Sequence, residues 1–310
     1  MLRVALPILL LMLLEACSPV ALLNALAPRA GVTIQRDISY GPGPYRVLDV
    51  YAPSEPQAGA PVVVFFYGGS WDSGDRGMYR FLGAALAARG IVAVIPDYRR
   101  YPEVGFPAFV EDGAAAVAWA RTHGSQLGGD PGRLFLMGHS AGAQIAALLA
   151  LDQSYLQAQG LETCALSGFI GLAGPYDFLP LRSSRLQTIF GPEQDWPRSQ
   201  PINYVSAAAP PMLLIAGSDD TIVDPANTVR LAARLRQAGA EVEEHVYRGV
   251  GHKAVIGAFG RMLGFLAPVR RDLLSFIARH SAEPRCAARS GDPGSHAASP
   301  FKPALQGWQN

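Results

Sequence analysis

The chain has 310 residues, of which 49% are hydrophobic, and its 26 lysines and arginines nearly balance its 25 aspartates and glutamates. This length allows one large domain or two small ones, with enough apolar residues for an extensive core. The basic residues are scattered, without a run long enough to follow a phosphate backbone. The composition therefore argues against nucleic acid as a partner.

The N-terminal residues are typical of an export signal. Arg3 precedes an apolar run over residues 4–14, which is too short to span a bilayer and matches the hydrophobic region of a signal peptide. The letters LEAC that end at Cys17 resemble a bacterial lipobox. We predict that residues 1–16 are a lipoprotein signal peptide and that Cys17 is lipidated. The protein is then exported and lipid-anchored in the bacterial cell envelope, at the outer membrane or in the periplasm. A plain secretory signal and a retained anchor are the alternatives.

Hydrophobic patterns predict a linker or short helix over residues 17–31 and one α/β domain over residues 32–281. Continuous and alternating apolar runs predict eight strands, and helical patterns alternate with most of them. This alternation indicates a mainly parallel sheet flanked by helices. The strands are predicted at residues 32–40, 46–51, 61–66, 91–95, 134–137, 168–172, 212–215 and 242–247, and the helices near 77–89, 107–123, 141–152, 225–238 and 254–280.

Two stretches lack such periodicity. Residues 177–209 contain prolines and charges between two predicted core strands, and they predict either a small cap over the site or a long surface excursion. Residues 282–310 are rich in Ala, Ser, Gly and Pro, and we predict a disordered tail. An export route permits a disulfide between Cys164 and Cys286, although no other feature of the sequence favours one.

Residues 133–142, RLFLMGHSAG, predict a strand that runs directly into a sharp turn and a helix. Gly138 and Gly142 flank Ser140 in a G-x-S-x-G pattern, because larger side chains at these two positions would collide with the neighbouring strand and helix. We expect Ser140 at the tip of this turn, as a nucleophile that needs a base. A structural serine that caps the helix is the alternative.

The base is sought after Ser140 in the chain, in the order that this type of turn uses. His252 ends the glycine-rich loop RGVGH that follows the last predicted strand, which places it at the carboxyl edge of the sheet with Ser140. His245 lies inside a strand pattern and His280 ends the last predicted helix. We therefore predict His252 as the general base; a loop histidine that caps the next helix is the alternative.

The acid is expected at the end of the strand over residues 212–215. Asp220 follows this strand and is succeeded by an apolar turn, which suits a carboxylate that points towards the histidine loop. Asp219 is the alternative. Asp224 precedes Pro225 and is better explained as the N-cap of the next helix.

An oxyanion needs donors that are already in place. The sequence YGGSW at residues 67–71 directly follows a predicted buried strand, and consecutive glycines leave backbone N–H groups open to a substrate. We predict that Gly68 makes the turn and that the N–H groups of Gly69, Ser70 and Ala141 form the oxyanion hole. A plain glycine turn is the alternative.

Other residues near these motifs are expected to be structural. The charged groups within residues 97–100 and 111–112 are predicted to brace loops through salt bridges. Trp71 either lines the acyl pocket or packs beneath it. His139 is adjacent to the nucleophile, but neighbouring residues on such a turn point in different directions, so we do not expect it to act as the base.

Taken together, these segments resemble the α/β-hydrolases of the carboxylesterase type. The similarity is to the branch with hormone-sensitive-lipase-like esterases, kynurenine formamidase-like enzymes and bifunctional feruloyl/acetylxylan esterases, and it runs from about residue 33 to 280. It rests on YGGSW (67–71), IPDYRRYPEVGFPAFVED (95–112), GGDPGRLFLMGHSAG (128–142), GPYD (174–177), AGSDDTIV (216–223) and GVGH (249–252). One residue departs from these families: Tyr67 stands where they place a histidine that braces the oxyanion loop.

The resemblance implies an α/β-hydrolase fold with at most a small cap, and a serine hydrolase that cleaves small to medium acyl esters through a Ser140-Asp220-His252 triad and an acyl-enzyme. No metal or cofactor is expected, and the expected partner is a small-molecule ester. A formamidase or amidase of the kynurenine formamidase type would use the same residues. A non-catalytic lipoprotein of this fold, suggested by Tyr67, is the alternative outside enzymes. The oligomeric state is left open.

Overall fold

A computed structural model describes residues 19–281 of the chain, except residues 56, 58 and 261. The predicted signal peptide (residues 1–16), the predicted lipidation site Cys17 and the predicted tail (residues 282–310), with Cys286, lie outside the described residues. Cys164 is disulfide-bonded. No helix among residues 19–281 is long and apolar enough to cross a membrane.

A single eight-stranded sheet forms the centre of the fold, with the strand order β1-β2-β4-β3-β5-β6-β7-β8. β1 and β2 pair antiparallel, as do β2 and β4, and all other pairs are parallel. The predicted eight-stranded, mainly parallel sheet is therefore confirmed. The strands are β1 (Val32–Ser39), β2 (Val47–Pro53), β3 (Ala60–Phe66), β4 (Val92–Pro96), β5 (Gly129–His139), β6 (Leu166–Leu172), β7 (Met212–Gly217) and β8 (Val242–Tyr247).

The central strands are apolar along their whole length because helices cover both faces of the sheet. Every residue of β3, β4, β6 and β7 is buried. β8 lies at one edge and contains three consecutive polar residues, and none of its residues is fully buried. A parallel sheet covered on both faces needs such continuous apolar strands, and their burial is the main source of stability.

Nine helices connect and cover these strands within the described residues. They are α1 (Pro19–Ala25), α2 (Arg80–Ala87), α3 (Ala108–His123), α4 (Ala141–Leu151), α5 (Gln153–Gln157), α6 (Ser184–Phe190), α7 (Ala226–Gln237), α8 (His252–Gly257) and α9 (Val269–His280). Short 3-10 helices lie at Arg76–Tyr79, Gly124–Leu127, Thr163–Ala165, Glu193–Ser199 and Pro201–Tyr204.

The helix predicted over residues 254–280 is wrong as one continuous element. α8 ends at Gly257 and α9 begins at Val269, and an irregular segment separates them. This segment contains Gly260 and Gly264 and ends at Pro268. Glycine lowers helix propensity and proline cannot donate the backbone hydrogen bond of a helix interior, which explains the interruption.

α1 packs against the domain. Of the two structures predicted for residues 17–31, a linker or a short helix, the described part of this range therefore contains the short helix. The side chain of Asn24 donates to the carbonyl of Gly77 at 2.9 Å and accepts from the N–H of Phe81 at 2.9 Å. Leu23 packs against the hydrophobic core. α1 is thereby held beside the N-terminal end of α2.

The segment between β6 and β7 forms a small cap. It contains α6 and two 3-10 helices, and it buries Leu181, Ile189, Phe190 and Trp196 against the domain. This outcome favours the small cap over the surface excursion, the two alternatives for residues 177–209. The cap stands over the carboxyl ends of the parallel strands, where the predicted site residues lie.

Candidate active site

Ser140 occupies the sharp turn between β5 and α4 in a conformation that side chains rarely adopt. Its backbone angles are φ 55° and ψ −127°, a region in which only a surrounding structure that enforces it holds a non-glycine residue. A Cβ on Gly138 would lie 2.3 Å from the carbonyl oxygen of Gly142, and one on Gly142 would lie 2.1 Å from that of Phe66. Both positions therefore require glycine, as the sequence pattern predicts.

The predicted base and acid are in direct contact. His252 Nδ1 lies 2.7 Å from Asp220 Oδ2, and both side chains are buried. The other carboxylate oxygen of Asp220 accepts hydrogen bonds from the N–H groups of Ile222 and Val223, each at 2.9 Å. The backbone therefore fixes the carboxylate, and the carboxylate fixes the imidazole so that His252 Nε2 remains for a proton transfer.

The alternative candidates lie elsewhere. Asp219 accepts a hydrogen bond from the hydroxyl of Ser218 at 2.7 Å, and Asp224 accepts one from the N–H of Ala226 at 2.9 Å, next to the first turn of α7. His245 lies inside β8 and His280 ends α9. The structure thus brings Asp220 to His252 and assigns Asp224 the capping contact that its position before a proline predicts.

The predicted oxyanion loop lies against the nucleophile. β3 and β5 are neighbours, with Phe66 paired to Gly138, so the loop after β3 and the turn at Ser140 leave the sheet side by side. A Cβ on Gly68 would lie 2.8 Å from Ser140 Cβ. Within the described part of the chain, the N–H groups of Gly69, Ser70 and Ala141 donate to no backbone carbonyl. These three N–H groups are free to bind an oxyanion.

Tyr67 is held firmly beneath this loop. Its hydroxyl donates to Asp97 Oδ1 at 2.8 Å, and its carbonyl accepts from the hydroxyl of Tyr98 at 2.7 Å. The rings of Tyr67 and Tyr98 stack with their centroids 4.7 Å apart. Burial, and secondarily Tyr98 and Asp97, raise the pKa of Tyr67 far above its usual value, so the hydroxyl remains a donor. The tyrosine braces the loop from below through Asp97, which Arg76 also binds.

His139 is a site residue whose contacts the sequence does not reveal. Its ring lies 4.8 Å from that of His252, and its Nε2 lies 3.3 Å from the carbonyl oxygen of His252, as a donor in the neutral tautomer that fits this contact. Burial, together with the neighbouring His252, lowers the pKa of His139 to about 3. His139 therefore stays neutral and holds the backbone of the histidine loop. Its adjacency to Ser140 is the only feature of the sequence that indicates a place at this site.

Two cavities meet at Ser140. The first, of about 600 Å³, lies between α1, the oxyanion loop and α8, and is lined mostly by apolar side chains, together with His252. The second, of about 520 Å³, lies beneath the cap and is more polar, with Asp177, Arg182 and Arg230 among its lining residues. Ser70, Ser140 and Ile222 line both. Ser140 therefore has a mostly apolar cavity on one side and a more polar cavity on the other.

Trp71 connects the oxyanion loop to the cap. Its ring packs on Phe178 and Phe190 with centroid distances of 5.7 Å and 4.9 Å. Its Nε1 donates to Gln144 Oε1 at 3.0 Å, and the Gln144 amide donates to the carbonyl of Ser199 at 2.8 Å. Trp71 is buried and also lines the second cavity, so it fulfils both of the roles that the sequence left open.

The charged groups that flank the site brace the fold as predicted. Asp112 is fully buried and binds both Arg46 and Arg99, while Asp97 binds Arg76. Among the described residues, no group of three or more His, Cys, Asp or Glu side chains has an arrangement that suits a metal ion.

The sequence and the fold are similar to those of known esterases. The isoprenylcysteine alpha-carbonyl methylesterase ICME of Arabidopsis thaliana is 31% identical over 241 residues, which cover 71% of this chain and 56% of that protein. Esterase LipC of Mycobacterium tuberculosis is 30% identical over 239 residues, which cover 70% of this chain and 59% of that protein. The chain thus spans between half and three fifths of the length of these curated relatives.

Solved esterase structures share the fold. Esterase B from Lactobacillus rhamnosis superimposes with a TM-score of 0.73 at 18% identity, covering 90% of this chain and 96% of that chain. The propionate-bound esterase Est2 of Thermogutta terrifontis gives a TM-score of 0.64 at 25% identity, covering 80% and 96%. These findings confirm the predicted α/β-hydrolase fold of the carboxylesterase type. The BD-FAE family matches residues 48–235, more than half of the chain, and the protein therefore belongs to the BD-FAE family.

Proposed function

We propose that this protein is a serine hydrolase that cleaves small to medium acyl esters through Ser140, Asp220 and His252. The observation that carries the proposal is the 2.7 Å contact between Asp220 and His252, at a cavity that Ser140 and His252 line together. The relatives named as esterases and methylesterases support an ester as the substrate. The cavity volumes of about 600 and 520 Å³ suit a small molecule.

The reaction begins when Ser140 Oγ attacks the ester carbonyl and His252 Nε2 accepts its proton. Asp220 orients the imidazole and stabilises the positive charge that forms on it. The carbonyl oxygen becomes an oxyanion, to which the N–H groups of Gly69, Ser70 and Ala141 donate. His252 then returns the proton to the alcohol, which leaves the acyl group on Ser140.

Water completes the cycle. His252 removes a proton from the water, which attacks the acyl-enzyme, and the second oxyanion occupies the same three N–H groups. Collapse of this intermediate returns the proton to Ser140 and releases the acid. The acyl-enzyme divides one difficult displacement into two easier ones.

The nucleophile is tested by replacing Ser140 with Ala, which we expect to lower kcat by roughly 10⁴–10⁶-fold and to abolish labelling by a fluorophosphonate probe. Ser125→Ala, at an exposed serine, is the matched control and should leave both unchanged. If the Ser140→Ala enzyme keeps its activity, the assignment of the nucleophile is wrong. If the wild-type protein is not labelled and hydrolyses no ester, the protein is a binding module of this fold.

The bond that is cleaved is tested with a substrate panel. Short p-nitrophenyl esters, acetylated xylo-oligosaccharides and feruloyl esters contain ester bonds, whereas N-formylkynurenine contains an amide. We expect the largest kcat/KM for one of the esters. A larger kcat/KM for N-formylkynurenine would favour the formamidase alternative, in which the same three residues cleave an amide.

We further propose that the protein is exported and held at a membrane by a lipid on Cys17. The support is the apolar run over residues 4–14 and the LEAC letters that end at Cys17. Such an anchor tethers an otherwise globular domain to the bilayer without a membrane span.

A further inference from the structure

Exposed apolar side chains are concentrated at one place on the surface of the domain. Eleven large hydrophobic side chains are exposed among the described residues. Six of them lie in α1 or directly after it, in the 3-10 turn Arg76–Tyr79, or in the segment between α8 and α9. These six, which we name the apolar rim, are Leu22, Leu26, Met78, Met262, Phe265 and Leu266.

Met78 of the apolar rim lines the first cavity, in which Ser140 lies, and the other five rim residues are close in the chain to residues that line it. Val20 and Leu23 of α1 line this cavity from one side, and Leu263 lines it beside them. The two rim segments are in contact, because a Cβ on Gly260 would lie 2.3 Å from Leu23 Cδ2. The rim segments therefore adjoin the lining of the cavity, and exposed apolar side chains lie beside a largely apolar cavity that reaches Ser140.

The exposure of this rim is unfavourable in water. Phe265 is 81% exposed and Met262 is 64% exposed, although burial of such a side chain contributes about 1.5–3 kcal/mol. A contiguous apolar patch of this kind marks a surface that meets another apolar phase. The lining of the cavity, within the described residues, includes no carboxylate and one lysine, Lys253, so its charge does not oppose an anionic surface.

The position of the N-terminus indicates that this apolar phase is a lipid bilayer. α1 begins at Pro19, two residues after Cys17, so a lipid on Cys17 lies within roughly 7 Å of the start of α1 even when the chain is extended. The apolar run over residues 4–14 ends five residues before Pro19. A lipid on Cys17 holds α1, and with it the apolar rim, next to the bilayer. The apolar run does the same if it is retained as an anchor.

We propose that the apolar rim docks on the surface of a lipid bilayer, with the entrance of the first cavity facing the membrane. Phe265 and Met262 insert into the boundary between headgroups and acyl chains, as aromatic and aliphatic side chains do in proteins that lie on membranes. The apolar part of an ester that is dissolved in the bilayer then passes along Leu23 and Leu263 to Ser140 without crossing water. The docking rests on the proposed attachment of the N-terminus to the membrane, and this last step rests in addition on the proposed ester hydrolysis.

The docking is tested by hydrogen–deuterium exchange of the full chain, with and without vesicles of phosphatidylcholine that contain a minor fraction of phosphatidylglycerol. We expect amide exchange over α1 and residues 258–268 to slow at least about tenfold with vesicles, because these segments leave the solvent. Exchange in α7 and β8, whose Val229 and Val246 are also exposed, should not change. The double variant Met262→Ser with Phe265→Ser should lose the protection, and Val229→Ser with Val246→Ser should keep it.

A kinetic comparison on the same variants links the docking to the ester. The rim variant should hydrolyse soluble p-nitrophenyl acetate as the wild type does, which also shows that it is folded. Its kcat/KM for a long-chain p-nitrophenyl ester embedded in the vesicles should fall roughly tenfold, since each lost side chain weakens the contact with the membrane. The control variant should match the wild type on both substrates.

Three outcomes would overturn the proposal. In the first, vesicles leave residues 258–268 unprotected, so that the protein is only tethered. In the second, the rim variant keeps the protection. In the third, the protection arises without vesicles and grows with protein concentration, in which case the rim binds a second copy of the chain. Protection by vesicles without hydrolysis of any ester would instead contradict the proposed function and leave the docking intact.

Discussion

At the scale of single residues, His139 and His252 have neighbouring rings but different surroundings. His139 is buried and has no carboxylate beside it, so burial and the neighbouring His252 lower its pKa to about 3. His252, in contrast, has a carboxylate partner, since Asp220 Oδ2 lies 2.7 Å from its Nδ1. The ring of His139 is therefore kept neutral, and the ring of His252 is oriented by a carboxylate.

His139 should make the stability of the protein depend on pH. Its pKa is about 3 in the folded chain and about 6.5 when unfolded, so the unfolded state binds more protons below about pH 6.5 and stability is lost as the pH falls from there towards 3. We expect the free energy of unfolding to decline between about pH 7 and about pH 4 by up to about 3 kcal/mol more in the wild type than in His139→Gln. Urea unfolding at both pH values measures this difference, and an identical decline in the two proteins would contradict it.

The contact between Asp220 and His252, and the sharp turn at Ser140, could be predicted because each of these residues lies in a short motif next to a strand end. Each of the three, Ser140, Asp220 and His252, lies in or at the end of the turn or loop that follows a strand. The contacts of Tyr67 and His139 could not be predicted, because their partners Asp97 and the carbonyl of His252 are distant in the chain and reach them only through the order of the strands.

At the scale of elements, α3 is fixed to the sheet by a buried carboxylate. Asp112 is fully buried and binds Arg46, which precedes β2, and Arg99, which follows β4. Burial alone would raise the pKa of Asp112, but the hydrogen bonds from Arg99 and Arg46 lower it. Asp112→Asn leaves both guanidinium groups without this charge and should lower the free energy of unfolding by about 3 kcal/mol. Urea denaturation measures the loss, and Glu111→Gln, at an exposed neighbour, should stay within about 0.5 kcal/mol of the wild type.

The cap should determine which esters enter the second cavity. Phe178 lines this cavity and packs on Trp71 and Phe190. Phe178→Ala removes the ring from the wall and should raise kcat/KM for a bulky ester, relative to p-nitrophenyl acetate, by roughly tenfold. Phe106→Ala is the control, because Phe106 also packs on Phe190 but lines neither cavity. An equal change in both variants would indicate a loss of packing instead of a wider cavity.

The boundaries of elements show where local patterns are insufficient. The apolar residues after His252 have helical spacing, which predicts one helix to residue 280, yet the chain breaks after Gly257. The glycines and Pro268 weaken the helix locally. The contact of Gly260 with Leu23 then holds the segment against α1, and this contact depends on a residue more than 230 positions earlier in the chain.

At the scale of the whole molecule, the N-terminus should decide where the enzyme acts. We expect mass spectrometry of the mature protein to find a new N-terminus at Cys17 that carries lipid, because residues 1–16 have the pattern of a lipoprotein signal. Cys17→Ser should abolish the lipid and release the protein from the membrane fraction after cell disruption. An unmodified N-terminus elsewhere would support the plain secretory signal.

The sequence by itself determined the order and type of the main elements, because a buried parallel strand is apolar along its length and a helix that covers a sheet carries apolar residues at helical spacing. It also located the turn at Ser140, since a turn this tight leaves no room for a side chain at Gly138 or Gly142. The tertiary structure alone decided that Tyr67 braces the loop over residues 68–71 through Asp97, that part of residues 177–209 lies over Ser140, and that α1 and the segment after α8 line one apolar cavity. These features depend on contacts between residues that are far apart in the chain, and only the stacking order of the strands brings such residues together.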